Sequence, residues 1–315
     1  MRFATIRFDD RLLTALDRDG TLVDLGALAH RMNPAFPEFA FPVGCDFIEA
    51  WEWENPLIRD VVDRAATADF AELPCLRADE VRYAPVVPDA GKVLAVGLNY
   101  LDHCREQNRA PPESPVLFSK LTTTLIGHRD PIVHWPITRE LDYEGELAVV
   151  IGRGGRGIPE SEALQHCFGF TILNDVSARD LQRRDRQWLR GKGLDTFGPV
   201  GPVVVTRDEV PDPQDLAIRT FVNETLYQDG RTSDMLFSVA RLVAFASEAI
   251  TLRPGDLLTT GTPAGVGVFA SPPHFLHAGD RVRIVISRIG ELVNPVVAPE
   301  PTDGRDHPAG PLEPV

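Results

Sequence analysis

Short apolar segments that end in turn residues constrain the fold of this chain more than any other feature of its sequence. Seven of them have the length and the Val, Ile and Leu content of β-strands: KVLAVGLNY, LAVVIG, FTILND, VVVT, LAIRTFVN, LLTTG and RVRIVI. In the same part of the chain, helices are predicted only near residues 101–108, 160–167 and 234–249. The 27 prolines and 25 glycines among 315 residues favour frequent turns. Because strands outnumber helices and do not alternate with them regularly, we predict a mainly β protein with α-helices, of the α+β class.

The overall charge argues against two classes of partner. Thirty-two Lys and Arg residues against 46 Asp and Glu residues give a net charge of −14. Nucleic acids and anionic membrane surfaces attract basic faces, so we expect neither as a partner. No apolar run has the roughly 18 residues of a membrane-spanning helix, and Asp9 and Asp10 interrupt any signal-peptide core. We therefore predict a cytoplasmic protein.

Composition divides the chain into three parts. Residues 1–85 begin with the alternating segment MRFATIRF and include a helical stretch from Pro56 to about Ala71, and we predict a small N-terminal α/β domain. The Pro- and Gly-containing segment RYAPVVPDAG is predicted to link it to a main domain of residues 86–295. Residues 296–315 are rich in Pro and Gly, and we predict an extended or disordered tail.

The strand-like run LDYEGELAVVIG, residues 141–152, contains the strongest candidate for chemistry. Glu144 and Glu146 are two positions apart and so point to the same face of a strand. The apolar run LAVVI that follows indicates that this strand is buried. Two buried carboxylates on one face repel, so either one takes up a proton or a cation lies between them. A solvated face of an edge strand is the simpler alternative.

A third carboxylate strengthens the case for a metal site. The segment FGFTILNDVSARDLQ places Asp175 where an apolar strand meets a turn, a position that often holds functional side chains. With Glu144 and Glu146 it would form an all-oxygen set. Such a set suits Mg²⁺, Mn²⁺ or Ca²⁺ and leaves about three octahedral positions for water or substrate oxygens. Taken alone, Asp175 would equally fit the N-cap of a following turn.

Three further segments contain residues of catalytic types. In GLNYLDHCREQN, His103 and Glu106 would share one face of a helix, as in a general base held by a carboxylate, or form an ordinary solvated pair. In QWLRGKGLDTFGPVGP, Lys192 lies between two glycines and could hold a carboxylate or an enolate, or simply be exposed in a turn. In GDLLTTGTPAGVG, Gly261 and Thr262 could offer an N–H and a hydroxyl to an anion, or form a structural turn.

Residues 152–157, GRGGRG, fit the GxGxxG pattern of dinucleotide-binding loops, and Asp175 lies at about the right distance downstream. Three features disfavour this interpretation. Ile158 and Pro159 interrupt the helix that should follow, two glutamates precede the loop, and the βα alternation is missing. A tight structural loop is the simpler interpretation, with an NAD-dependent oxidoreductase as a rival hypothesis.

Taken in order, these segments resemble the fumarylacetoacetate hydrolase (FAH) superfamily, in particular its bacterial acylpyruvase and 2-hydroxyhepta-2,4-diene-1,7-dioate isomerase members. The resemblance runs from Lys92 to about Asn294 through GLNYxxHxxE, PVLFSK, DYEGELAVVIGR, NDVSARDLQ, GKGLDTFGPVGP, VNExLYQDG and LxPGDLLTTGTPAGVG. Each motif is weak alone, but seven in the family's order are specific. Two positions depart from the pattern: Glu224, where Gly is frequent, and Leu121, where Pro often follows Lys120. These departures bear on substrate preference more than on activity.

The resemblance implies a mixed β-roll catalytic domain, a homodimer and a role for each matched position. The implied ligands of Mg²⁺ or Mn²⁺, with Ca²⁺ a further candidate in a crystal, are Glu144, Glu146 and Asp175. The implied catalytic residues are His103 and Glu106, on a mobile lid, and Lys192. The implied substrate-binding residues are Tyr100, Arg179, Gln182, Gly261 and Thr262.

The activity implied by the resemblance is metal-dependent cleavage of the C–C bond of a 2,4-dioxo acid, of the acylpyruvate or fumarylpyruvate type, through a metal-stabilised enolate. Only hydrolysis needs an activated water, which His103 and Glu106 would supply, so we predict a hydrolase. Decarboxylation of oxaloacetate, or proton movement alone in a 2-oxo diacid, would use the same enolate, so a decarboxylase or an isomerase (tautomerase) is the alternative. A non-catalytic binding protein is the remaining hypothesis. The family's common setting is the breakdown of aromatic compounds.

Overall fold

The structure, a computed structural model, describes residues 1–8 and 10–300. The strands are β1 Arg2–Phe8, β2 Arg11–Arg18, β3 Thr21–Asp24, β4 Cys75–Arg77, β5 Arg82–Tyr83, β6 Val93–Gly97, β7 Val116–Lys120, β8 Leu125–Ile126, β9 Ile132–Val133, β10 Leu141–Asp142, β11 Gly145–Ile151, β12 Cys167–Asn174, β13 Ser177–Ala178, β14 Gly198–Thr206, β15 Ala217–Val222, β16 Thr225–Arg231, β17 Leu257–Thr259, β18 Arg281–Ile286 and β19 Gly290–Val297. The α-helices are α1 Leu25–Met32, α2 Gly44–Glu52, α3 Pro56–Thr67, α4 Leu101–Glu106, α5 Arg179–Asp185, α6 Leu189–Lys192 and α7 Val239–Ala249. Short 3₁₀ helices cover Glu38–Ala40, Phe70–Glu72, Thr122–Thr124, Ala163–His166, Thr232–Asp234 and Gly267–Phe269.

A mixed sheet of 12 strands forms the centre of the molecule. Its path runs in the order β4-β3-β2-β1-β14-β12-β11-β17-β6-β7, with β5 paired to β1 and β8 to β14. A five-stranded sheet, in the order β16-β15-β18-β19-β9, packs against β11, β12 and β14, and β10 pairs with β13. One hydrophobic cluster joins the two larger sheets through residues such as Leu147, Val149, Ile284 and Leu292. The predicted α+β class, with mixed β-sheets at its centre, is confirmed.

Residues 1–85 are built into the large sheet. β1 pairs with β14, where Phe3 lies opposite Val204. Helices α1, α2 and α3 contribute to a second hydrophobic cluster, which also contains Val150, Phe168 and Val204 of the main domain. This core is therefore shared across the predicted boundary at residue 85, and the division of the chain into domains there stays a prediction.

Phe3 at the centre of this shared core provides a test of the coupling. Its ring is 4% exposed and lies 4.9 Å from the ring of Phe47 and 6.0 Å from the ring of Phe168, centroid to centroid. Phe3→Ala is expected to lower the free energy of unfolding by about 3–5 kcal/mol, as for other buried aromatic truncations. The exposed Phe39, with 75% of its surface accessible, is the matched control, since Phe39→Ala should change stability by less than about 0.5 kcal/mol. Equal midpoints in urea unfolding for the two variants would contradict the shared core.

Two local predictions are wrong in extent. β19 continues to Val297, and Val296 pairs with Ile132 of β9, so the first two residues assigned to the tail belong to the five-stranded sheet. Residues 301–315 of that predicted tail lie outside the described residues. The helix predicted near 160–167 is only the 3₁₀ turn Ala163–His166, in which Ala163 alone is buried. A longer helix has no apolar face there to pack against the core.

The GRGGRG segment is the tight structural loop that the sequence indicates. Gly155 donates its N–H to the carbonyl of Leu252 at 3.0 Å, and Gly157 donates to Ser247 at 2.7 Å. A Cβ on Gly154 would lie 2.8 Å from the Leu252 carbonyl oxygen, so this glycine is needed for close packing. Turns and a 3₁₀ helix follow the loop, in place of the long helix of a dinucleotide site.

Within residues 1–8 and 10–300, no helix is both long enough and apolar enough to cross a membrane.

Candidate active site

Two neighbouring strands bring the three predicted metal ligands together. In the pairing of β11 with β12, Glu146 lies opposite Leu173. Asp175 donates its backbone N–H to the carbonyl oxygen of Glu144 at 2.9 Å, just beyond the ends of the two strands. Because side chains alternate along a strand, Glu144, Glu146 and Asp175 share one face of the sheet. One carboxylate oxygen from each lies within 4.8 Å of the others, and all three residues are buried.

Buried cations neutralise two of these carboxylates. Lys120 donates to Asp175 at 2.7 Å, and Lys192 donates to Asp175 at 2.7 Å and to Glu144 at 2.8 Å. Nη1 of Arg179 lies 2.7 Å from Glu144. Although burial alone would raise it, the charges of Lys192 and Arg179 hold the pKa of Glu144 down at about 2.

Glu146 has no such partner among the described residues. Its carboxylate accepts the N–H of Gly261 at 3.1 Å. Burial first, and then the charges of Asp175 and Glu144, raise the pKa of Glu146 well above its ordinary value. A buried carboxylate without a cation, on the same face as two others, fits a divalent ion among them, and the all-oxygen donor set suits Mg²⁺ or Mn²⁺. The candidate metal centre predicted from the sequence is thus assembled in the fold.

A divalent ion is therefore expected to stabilise the folded chain. Free Mg²⁺ or Mn²⁺ at 100 times its Kd should add about 2.7 kcal/mol to the free energy of unfolding, because the unfolded chain does not hold the three carboxylates together. The measurement is the thermal unfolding midpoint of EDTA-stripped protein as each ion is titrated in. Sodium chloride at matched ionic strength should leave the midpoint unchanged. A thermal unfolding midpoint that does not change with either divalent ion up to millimolar concentration would rule out this metal centre.

His103 and Glu106 form the predicted helical pair on α4. Nδ1 of His103 lies 2.6 Å from Oε1 of Glu106, and Oε2 of Glu106 accepts the backbone N–H of Gly265 at 2.9 Å. Asp102 on the same helix accepts the N–H of Ala264 at 3.1 Å. A carboxylate at Nδ1 holds the proton on that nitrogen and leaves Nε2 as a proton acceptor. The helix is thus fastened to the loop that follows Thr262.

A cavity of about 530 Å³ opens over the carboxylates. The sequence-predicted residues in its wall are His103, Glu144, Glu146, Arg179, Gln182, Lys192 and Thr262. Other lining residues include Phe118, Gln107, Arg109, Arg186 and Trp188. Nη2 of Arg179 is buried without a hydrogen-bond partner in the described part of the chain, so this wall retains an unused N–H donor for an anion.

Three predicted substrate-binding residues have contacts other than those expected. Tyr100 is fully buried in the cluster between the two sheets and does not line the cavity as the structure describes it. The N–H of Gly261 is donated to Glu146, and the hydroxyl of Thr262 is donated to the carbonyl of Gly145 at 3.0 Å. Both groups hold β11 in place and are not free for an anion.

Lys192 is buried, so the alternative of an exposed turn lysine is wrong. Its Nζ donates to Glu144, to Asp175 and, at 2.9 Å, to the hydroxyl of Ser177. An ammonium group has three N–H donors, and these contacts use all of them. Lys192 therefore acts on the metal ligands in this structure, and its predicted contact with a developing charge on the substrate would require one of these bonds to open.

Three residues that position the site were missed by sequence reasoning. Asp142 accepts from Nε of Arg179 at 2.8 Å, and Gln228 holds the backbone N–H of Gly145 at 3.0 Å. Lys120 pairs with Asp175, as described above. Lys120 and Gln228 each lie in a family motif, PVLFSK and VNExLYQDG. For Lys120, a charged side chain at the end of an apolar strand was the available signal, whereas Gln228 lies in the middle of the largely polar strand β16.

The fold and the site together define a class of enzyme: a mixed β scaffold that presents a buried carboxylate triad and a histidine to a cavity lined by arginines. The chain belongs to the fumarylacetoacetate hydrolase family, since the family described as fumarylacetoacetate (FAA) hydrolase C-terminal matches residues 92–297. The family resemblance found in the sequence is thereby confirmed.

Individual relatives differ in the activity that they are named for. Oxaloacetate tautomerase fahd2, mitochondrial, of Xenopus laevis is 48% identical over 292 residues, which cover 91% of this chain and 86% of that protein. Oxaloacetate tautomerase FAHD2A, mitochondrial, of Homo sapiens is 47% identical over 235 residues, which cover 74% of this chain and 75% of that protein. The solved structure of maleylpyruvate hydrolase from Sphingobium sp. SYK-6, in complex with manganese (II) ion and pyruvate, is similar with a TM-score of 0.74 and 30% identity over 95% of this chain and 99% of that chain.

Proposed function

We propose that this protein is a divalent-metal-dependent tautomerase that interconverts the keto and enol forms of a 2-oxo diacid of the oxaloacetate type. The proposal replaces hydrolysis as the main interpretation, because the relatives at 47% and 48% identity are named oxaloacetate tautomerases. The single structural observation that supports it best is the charge of the cavity.

The buried charges around the cavity suit a dianion once a divalent ion is bound. The carboxylates of Asp142, Glu144, Glu146 and Asp175 are set against the cations of Lys120, Lys192 and Arg179. With all four carboxylates ionised, as metal binding requires, these groups sum to one negative charge, and a divalent ion changes the sum to one positive charge. Arg109 and Arg186 add further positive charge to the cavity wall. This positive charge favours a substrate with two carboxylates, such as oxaloacetate or maleylpyruvate, over a monoacid such as acetylpyruvate. The choice of oxaloacetate among the diacids rests on the relatives.

The proton transfer is assigned to His103. With Glu106 holding Nδ1, the free Nε2 of His103 accepts a proton from C3 of the keto form and returns one to C3 in the reverse direction. Protonation of the C2 oxygen from solvent completes the enol, and His103 releases the proton taken from C3 to solvent. The net change is one proton moved from C3 to that oxygen. No bond between carbon atoms breaks, and no activated water is needed.

The chain's remaining groups bind and orient the substrate. Nη2 of Arg179 is a buried donor without a hydrogen-bond partner among the described residues, and we assign it to a substrate carboxylate. Oε1 of Gln182 lies beside it, 3.1 Å from Nη1. Glu144, Glu146 and Asp175 would hold Mg²⁺ or Mn²⁺. When bound, such an ion supplies a Lewis acid that polarises the 2-keto group and makes the C3 proton more acidic.

Hydrolysis of an acylpyruvate is the second candidate, and one observation favours it. The His103–Glu106 pair is also suited to deprotonating water, and the similar structure of a maleylpyruvate hydrolase contains manganese and pyruvate. A decarboxylase acting on oxaloacetate would need neither the base nor the water, only the polarised keto group.

One panel of assays separates these activities. EDTA-stripped protein is supplied with Mg²⁺ or Mn²⁺, then mixed with the pure enol form of oxaloacetate, and the loss of enol absorbance is followed. Tautomerisation predicts metal-dependent loss of the enol, without release of CO₂ or pyruvate. Pyruvate formed from acetylpyruvate or maleylpyruvate would instead support the hydrolase, and CO₂ released with pyruvate from oxaloacetate would support the decarboxylase. Enol decay at the spontaneous rate would refute the proposed function.

Three predictions from the sequence lie outside these assays. The homodimer, the cytoplasmic location and a setting in the breakdown of aromatic compounds stay predictions.

A further inference from the structure

We propose that Arg186 is the residue that recognises the distal carboxylate of the substrate and so selects diacids over monoacids. This inference deepens the proposed function, on which its substrate class rests. It concerns the segment from α5 to α6, residues 179–192, which forms one wall of the cavity.

The arginines of this segment differ in their ion pairs. Arg183 lies 2.5 Å from Glu140, and Arg184 lies 3.2 Å from Asp185, which also pairs with Arg190. Arg186 forms no ion pair with any residue that the structure describes. It is also exposed, and it lines the cavity. One guanidinium in this segment is therefore left free to bind an anion that enters the cavity.

The backbone of Arg186 supports a functional assignment. It caps α5 with a φ of 59°, in the left-handed region. Helices that end this way usually have glycine at this position, because a Cβ is strained there. A strained residue in a cavity wall indicates that the side chain is kept for what it does in the cavity. Arg109, the other unpaired arginine of the wall in the described chain, follows α4 and has no such backbone strain.

The position of Arg186 fits a diacid that is bound at both of its carboxylates. Arg179 begins α5 and is buried beside Glu144, whereas Arg186 follows its last residue and is exposed. Seven residues at 1.5 Å rise separate the two by about 10 Å along the helix. The two arginine side chains are long enough to span this distance and to contact a short substrate from both ends. A diacid with one carboxylate at Arg179 therefore extends its other end towards Arg186.

Two five-carbon acids test this assignment by binding alone. Dissociation constants are measured by calorimetry, in Mg²⁺, for 2-oxoglutarate and for 2-oxopentanoate, which lacks the second carboxylate. Arg186→Gly, which also relieves the backbone strain, is expected to weaken 2-oxoglutarate about tenfold and to leave 2-oxopentanoate unchanged. Arg186→Lys should recover part of the loss. Arg184→Ala removes the same charge from an ion-paired neighbour and should change neither constant.

Each other result has a definite meaning. An equal loss for both acids, no loss for either, or a wild type that does not prefer 2-oxoglutarate would overturn the assignment of Arg186. The KM of oxaloacetate should rise about tenfold in Arg186→Gly with kcat little changed, since the residue lies away from the transferred proton. A wild type that prefers 2-oxoglutarate and loses this preference in Arg186→Gly, yet shows no tautomerase activity, would refute the proposed function and retain the carboxylate receptor.

Discussion

Glu146→Gln is expected to abolish turnover and to stabilise the metal-free protein at the same time. Replacing a partner of a metal ligand already weakens metal affinity by about 10- to 100-fold, and loss of a ligand should cost at least that much. The same change replaces a buried carboxyl group whose charged form is disfavoured, since burial and the charges of Asp175 and Glu144 raise its pKa. The metal-free variant should therefore unfold at a higher temperature than the metal-free wild type, and added Mg²⁺ should shift its midpoint little.

The pH dependence of this difference has a fixed sign. A carboxyl group whose folded pKa lies above its unfolded value stabilises the fold most fully below the unfolded pKa, near 4.5 for Glu146, and loses that contribution as pH rises towards the folded value. The midpoint advantage of Glu146→Gln over metal-free wild type should thus widen as pH rises above about 4.5. Glu248→Gln, on the exposed face of α7, is the control and should follow the wild type. Normal turnover in Glu146→Gln, or a midpoint advantage that shrinks with rising pH, would contradict the assigned role.

His103→Ala is expected to lose catalysis while keeping the fold and the metal. A positioned general base contributes about 10²–10⁴-fold to a rate, so metal-dependent loss of enol absorbance should slow by about that factor. Glu144 immediately precedes β11, Glu146 lies in β11 and Asp175 follows β12, so none of the three carboxylates belongs to α4. The metal-induced rise in the unfolding midpoint should therefore match that of the wild type.

Glu106→Gln separates the base from its partner. The amide cannot hold His103 in one tautomer as a carboxylate does, so this variant should also be slow, though less so than His103→Ala. The double variant should be no slower than His103→Ala alone, since the two side chains act as one unit. Additive losses, or His103→Ala at the parent rate, would show that the proton is transferred elsewhere.

Local patterns were sufficient for the seven strands predicted in the main domain and for the grouping of the candidate ligands. Period-two spacing placed Glu144 and Glu146 on one face, and the end of an apolar strand placed Asp175 near them. The structure adds the pairing of β11 with β12, which turns two separate expectations into one cluster. The register between two strands depends on residues far apart in the chain, so it cannot be predicted from one segment alone.

The hydrogen-bond partners could not be read from the sequence. Gly261 and Lys192 were expected to face a ligand, yet their donors are used by Glu146, Glu144, Asp175 and Ser177. Burial decides this, because a buried carboxylate takes the nearest donors available. The boundary at residue 85 was drawn from composition, which does not register that β1 pairs with β14.

The two oxygens of Glu106 have one further consequence. Oε1 lies against Nδ1 of His103, and Oε2 accepts the backbone N–H of Gly265 and so fastens α4 to the loop. If α4 moves away to admit substrate or release product, the hydrogen bond between Glu106 and Gly265 breaks. The same carboxylate is then exposed to water, which weakens its hydrogen bond to the imidazole. In the proposed mechanism, Glu106 therefore holds His103 in its catalytic tautomer only while α4 is bound to Gly265. When α4 is displaced, His103 is a less effective base, so an enol that enters or leaves the cavity is less exposed to unwanted proton transfer.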